Sequence, residues 1–120
     1  MKDLEFVPEY TSDVYNGPAI RLAAGVQSWE LHNLVSLNGN LTIVSPVGSV
    51  GPAGGWFASG GHGIFSSKLG LGSDQVLSVN LVTADGKFLT ADPKTNKDLF
   101  WALRGGGPSK YTLKKTAETL

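Results

Sequence analysis

"GSVGPAGGWFASGGHGIFSSKLGLGSDQVLSVNLVTADGKFLTA", residues 48–91, changes character once, and that change decides the fold. Its first part is dominated by glycine: nine of the sixteen glycines in the chain fall between Gly48 and Gly72. Its second part alternates. Val76, Leu77, Val79, Leu81 and Val82 lead to a turn at Ala84-Asp85-Gly86, and Phe88 to Ala91 return, the period-two pattern of a β-hairpin closed by an Asp-Gly pair.

Upstream, Leu4–Val7 and Ala19–Val26 read as short strands separated by an Asn-Gly-Pro turn at residues 16–18. Ser28 is placed to cap a helix through "WELHNLVSL", with Trp29, Leu34 and Leu37 as its apolar side and Gly39 closing it. Leu41–Val44 is a further strand candidate. Downstream, Asn96 is placed to cap "KDLFWALR", which turns Leu99, Phe100 and Leu103 inward and ends at Gly105. Strands mixed with short helices, without a regular βαβ rhythm, make the expected class α+β.

A chain of 120 residues has room for one domain with a modest core. Ten basic and ten acidic residues cancel, which argues against nucleic acid or an anionic membrane as a partner. Cysteine is absent, removing thiolate nucleophiles and cysteine-ligated metals; no metal site is expected. The opening residues "MKDLEFVPEY" have no apolar core of signal-peptide type, so localisation is left open.

The glycines carry the chemistry. Between Glu30 and Lys68 lie 37 residues without Asp, Glu, Lys or Arg. Bare glycine backbone within such a neutral stretch can bring N–H donors against a flat or anionic ligand without a Cβ in the way. A turn cluster packed closely on neighbouring backbone would look the same in sequence. Familiar phosphate loops are excluded by spacing: Gln75 stands where a third glycine should follow Gly70-x-Gly72, Ser66 fails likewise after Gly61-x-Gly63, and Ser109-Lys110-Tyr111 is not a Walker lysine.

Taken together, "GSVGPAGGWFASGGHG", "LGLGSDQVLSVNLVTADGKFLTA" and "NKDLFWALRGGG", with "EFVPEY" and "YNGPAIRLAAGVQSWEL" ahead of them, resemble the second half of the FAD-binding PCMH-type domain of the vanillyl-alcohol-oxidase and berberine-bridge-enzyme superfamily. The two early stretches also resemble fungal FAD-linked oxidases of the isoamyl-alcohol-oxidase type. The resemblance runs from about Lys2 to Ser109. It implies a partial α+β domain of mixed sheets and short helices, with residues 1–109 the C-terminal part of the FAD domain, 110–120 a divergent tail, and the substrate domain missing.

It also implies an FAD-linked oxidoreductase that passes hydride from an alcohol, sugar or secondary-metabolite carbon to FAD and on to oxygen. Carried over by position, Gly48, Ser49, Val50, Gly51, Gly54, Gly55, Gly60 and Gly61 lie along the cofactor. Gly72 and Asp74 close the site, and Val82 borders the adenine end. Val47 stands where some family members carry a flavin-linking cysteine. The family's flavin-linking Gly-Gly-His segment belongs earlier in the domain, so His62 reads as a loop residue near the site.

The catalytic base is not identified. Met1 falls where relatives have finished their pyrophosphate-cradling loop, and lysines interrupt the tail where relatives continue with an apolar strand. A truncated fragment is therefore expected, with poor FAD binding, since each lost charge-assisted hydrogen bond costs about 1.5–3 kcal/mol. The alternative function is a non-catalytic remnant or interaction module. His32 reads as a half-buried helix residue, the three tryptophans as packing, and Asn40-Leu41-Thr42 as a glycosylation sequon.

Overall fold

The computed structural model describes residues 1–107 in full and the backbone of 111–119. Five strands form one sheet in the order β1-β2-β5-β3-β4: β1 Leu4–Thr11, β2 Asn16–Ala23, β3 Val76–Thr83, β4 Phe88–Ala91 and β5 Tyr111–Thr119. Every neighbouring pair is antiparallel. The α+β class holds, and the expected mixed sheets resolve into this single antiparallel one. Tail residues expected to interrupt the sheet instead supply β5, whose backbone pairs with β2 on one side and β3 on the other.

Helices cover one face of the sheet. Ile20 and Leu22 of β2, with Val79 and Leu81 of β3, pack against Leu31 and Val35 of α1 (Ser28–Leu37) and against Phe100 and Leu103 of α3 (Lys97–Leu103), with the single turn α2 (Ser66–Leu69) between them in sequence. A register shift between Val76 and Ser78 lets Val76 join Val79 on this side, while Leu77 packs with Ala19, Tyr10 and Tyr15 in a second cluster. Leu77, Arg21, Asn80 and Thr90 line a groove of about 620 Å³ with the loop around Asp92.

Several local expectations change. Ser28 is the first helical residue and not the cap; Gln27 takes the cap position, its N–H donating to the Glu30 carboxylate at 2.7 Å. Ser28 is fully buried, and both its N–H and its Oγ–H donate to the Val50 carbonyl, at 2.9 and 2.8 Å. The buried stripe of α1 is Ser28, Leu31 and Val35, whereas Trp29 and Leu37 are exposed.

Leu41–Val44 forms no strand; Ile43 and Val44 are buried as irregular chain beside α1, because an apolar run records burial and not ladder pairing. The first hairpin is displaced from the expected one: ladder partners extend to Thr11 and Asn16, so the expected turn at 16–18 lies within β2, and β2 ends at Ala23 short of Val26. Asn96 holds its cap position in a left-handed conformation, and its side chain donates to the Thr90 carbonyl rather than capping α3.

Candidate functional site

The glycine-rich segment is tied to α1 and to the end of α3 and is closed on itself. Val50 is held by buried Ser28, and the Gly48 carbonyl accepts from the Trp29 N–H at 3.1 Å. The carbonyl of Ala58, in the 3₁₀ turn Phe57–Ser59, accepts from the N–H groups of Gly105 (3.1 Å) and Gly107 (2.8 Å), which ties the end of α3 to the segment. Finally, Gly72 and Ser73 donate to the Gly61 and Gly60 carbonyls at 2.8 and 2.9 Å, closing the segment on itself.

Trp56 explains why two of these residues are glycine. It ends the short π-helical turn Pro52–Trp56 and packs edge-on against Phe57, with ring centroids 5.3 Å apart and planes at 69°. A Cβ on Gly61 would stand 2.7 Å from the indole ring, and one on Gly72 only 2.3 Å from it. Gly54 is constrained from another side, its Cβ position lying 3.1 Å from the Ala24 carbonyl, whereas a Cβ on Gly51 would make only ordinary contact with that carbonyl at 3.4 Å. Close packing, the plain alternative in sequence, therefore accounts for Gly54, Gly61 and Gly72.

Two glycines of this loop have open space at the Cβ position. A Cβ on Gly48 or on Gly55 would meet nothing within 4 Å. Gly48 has φ +71, which itself favours glycine, but Gly55 has neither a positive φ nor a close neighbour. Among the described residues, the N–H groups of Ser49, Val50 and Gly51 have no acceptor. Beside them, Val47, Val50 and Ile64 are exposed and share with Ser45, Pro46, His62 and Gly63 an open hollow of about 340 Å³.

These features suit FAD on the observations of the loop alone. Free amides match an anionic or carbonyl edge, an empty Cβ position admits a flat ring, and exposed apolar side chains match its hydrophobic part. No charged side chain lies between residues 31 and 67 to oppose it.

The remaining sequence candidates fall elsewhere. Asp74 is exposed and accepts from the Leu71 N–H at 2.8 Å, so its carboxylate serves the 3₁₀ turn Gly72–Gln75. Val82 sits near the far end of β3, about 20 Å along the strand from that turn, with ladder partners Phe88 and Thr112 on its two sides. His32 is half-buried, its Nε2 2.8 Å from Ser45 Oγ, joining α1 to the wall of the hollow. Sequence reasoning missed the Trp56 contact, the Ala58 carbonyl and the Ser28–Val50 tie; the triple glycine 105–107 was the available signal for the second.

Comparison with known proteins identifies the family to which this sheet and glycine loop belong, a family of FAD-binding domains. Residues 12–92 match the FAD binding domain family, and the chain belongs to that family. It is 47% identical over 111 residues to the FAD-linked oxidoreductase patO of Aspergillus clavatus, covering 92% of this chain and 19% of that protein.

The VAO-type flavoprotein MtVAO615 from Myceliophthora thermophila C1 superposes with a TM-score of 0.92 at 37% identity, covering 98% of this chain and 22% of that one. Glucooligosaccharide oxidase from Acremonium strictum, a 6-S-cysteinyl, 8α-N1-histidyl FAD protein, superposes at TM-score 0.78 and 25% identity over 93% of this chain and 23% of its own. The chain thus spans about a fifth of the length of the curated relatives it matches.

Proposed function

We propose that the chain forms one backbone-lined wall of the FAD site in a flavin-dependent oxidoreductase acting on a small-molecule alcohol, sugar or secondary-metabolite carbon. When bound, FAD supplies the hydride acceptor, with oxygen as terminal oxidant. Ser49, Val50 and Gly51 donate N–H groups to the cofactor, and Gly48 and Gly55 admit it where a side chain would not. Val47, Val50 and Ile64 exclude water from its apolar part. Gly54, Gly60, Gly61, Gly72 and Asp74 act behind this wall by fixing the loop, and Val82 has no direct role.

The observation that carries the reading is the set of three unpaired amides in the same loop as Gly55, a glycine that the internal packing does not require. Titrating FAD into the purified chain while following flavin fluorescence tests it. The expected result is a weak, saturable change that Gly55→Ala weakens further. A signal indistinguishable from free FAD at high micromolar chain would overturn it.

A further inference from the structure

Asn40-Leu41-Thr42 is the sole N-x-Ser/Thr triplet among the six asparagines of the chain, and the fold presents it in an unusual way. α1 ends at Leu37, and the Asn40 N–H closes the following turn on the Ser36 carbonyl at 3.1 Å. Leu41 is half-buried against the main core and its N–H donates to the Val35 carbonyl at 3.3 Å. The middle residue is therefore held inward while Asn40 and Thr42, on either side of it, are both exposed.

Among the described residues neither the Asn40 carboxamide nor the Thr42 hydroxyl has a partner. The left-handed φ of +55 at residue 40 accounts for an asparagine there, but nothing in the packing calls for a hydroxyl at 42. The ten residues of α1 separate this turn from the Ser28–Val50 contact by about 15 Å, so a bulky group on Asn40 would be attached at the opposite end of α1 from that contact.

We propose that Asn40 is an N-glycosylation acceptor whenever the chain is carried into the secretory pathway. The donor class is a lipid pyrophosphate-linked oligosaccharide. Asn40 Nδ2 forms a bond to the anomeric carbon of the first sugar as that carbon's bond to the pyrophosphate oxygen breaks. The amide loses one proton and the lipid pyrophosphate leaves. No oxidant or reductant takes part.

The test places the whole chain behind a cleavable secretory leader in yeast and confirms translocation by protease protection. Expected is a single upward step in gel mobility, reversed by an endoglycosidase, absent in Asn40→Gln and Thr42→Ala, and retained in Thr42→Ser. Folding is read separately: the glycosylated chain should melt no lower than Asn40→Gln. A translocated chain that shows no step overturns the proposal, as does a step that persists in Thr42→Ala. A glycosylated form that melts well below Asn40→Gln would also overturn it, since the modification would then be incompatible with the fold.

Discussion

Gly72→Ala separates packing from ligand binding within the glycine segment. A Cβ there would lie 2.3 Å from Trp56 Cζ3 and 2.8 and 2.9 Å from the Phe57 ring. Carbon atoms attract best at about 3.5–4.0 Å, so the added methyl overlaps the indole by more than about 1 Å. Trp56 has little room to withdraw, because Gly61 lies under the same ring and Phe57 packs against its edge. Gly72 does not have a positive φ, which leaves steric overlap as the operative effect. Overpacking of this kind costs about 1–3 kcal/mol, a large share of the roughly 5–15 kcal/mol available to a small domain.

Urea denaturation followed by tryptophan fluorescence is the assay. The midpoint should fall with little change in slope. Trp56→Leu combined with Gly72→Ala should lose less than the sum of the two single changes, because the smaller side chain makes room. Gly55→Ala, with nothing within 4 Å of the new methyl, should leave the unfolding free energy within about 0.5 kcal/mol of the parent while weakening FAD binding. Equal midpoints for Gly72→Ala and the parent, or an equal fall for Gly55→Ala, would refute the division of glycines into packing and cofactor-facing sets.

Ser28→Ala removes the buried hydroxyl that donates to Val50 at 2.8 Å while sparing the second bond from its own N–H; stability should fall by about 1 kcal/mol, and proteolysis within residues 47–51 should accelerate. Asp92 accepts from the N–H groups of Thr95 and Lys94, both at 2.7 Å, and these bonds hold its carboxyl below its ordinary value of 3.8. Its contribution is therefore complete above that ordinary value and is lost as pH falls through the lower folded value, so Asp92→Asn should flatten the acid limb of a stability-against-pH curve. Ser45→Ala should free the His32 ring from its 2.8 Å contact and make a His32→Ala change cost less than it does in the parent, as a double-mutant cycle would register.

The hairpin of β3 and β4 was legible because period-two alternation and an Asp-Gly turn are local signals, and α3 because its inward residues follow helical spacing. What the sequence misread depends on distant contacts. Ser28 has the letter of a cap, yet it is buried because its hydroxyl meets a carbonyl 22 residues away. Trp29 and Leu37 look like a buried face of α1 as readily as Leu31 and Val35 do; the sheet beneath selects the latter pair.

The lysines of the tail obscured β5, whose backbone is fixed by ladder partners such as Leu81, paired with Leu113, and Ala19, paired with Thr119, that lie far away in sequence. Family resemblance located the flavin loop as a block, but no sequence signal divides its glycines. Gly61 and Gly72 differ from Gly55 because Trp56 folds over the first two, and Gly61 also has φ +75.

The most direct test of the flavin wall is an amide chemical-shift titration of the isotopically labelled chain with FAD, which registers weak binding residue by residue. Saturable shifts concentrated at Val47 to Gly55 and His62 to Ile64 are predicted. Shifts concentrated instead at Tyr10, Arg21 and Asn80 on the opposite sheet face, or no saturable shift at the loop amides, would contradict the account.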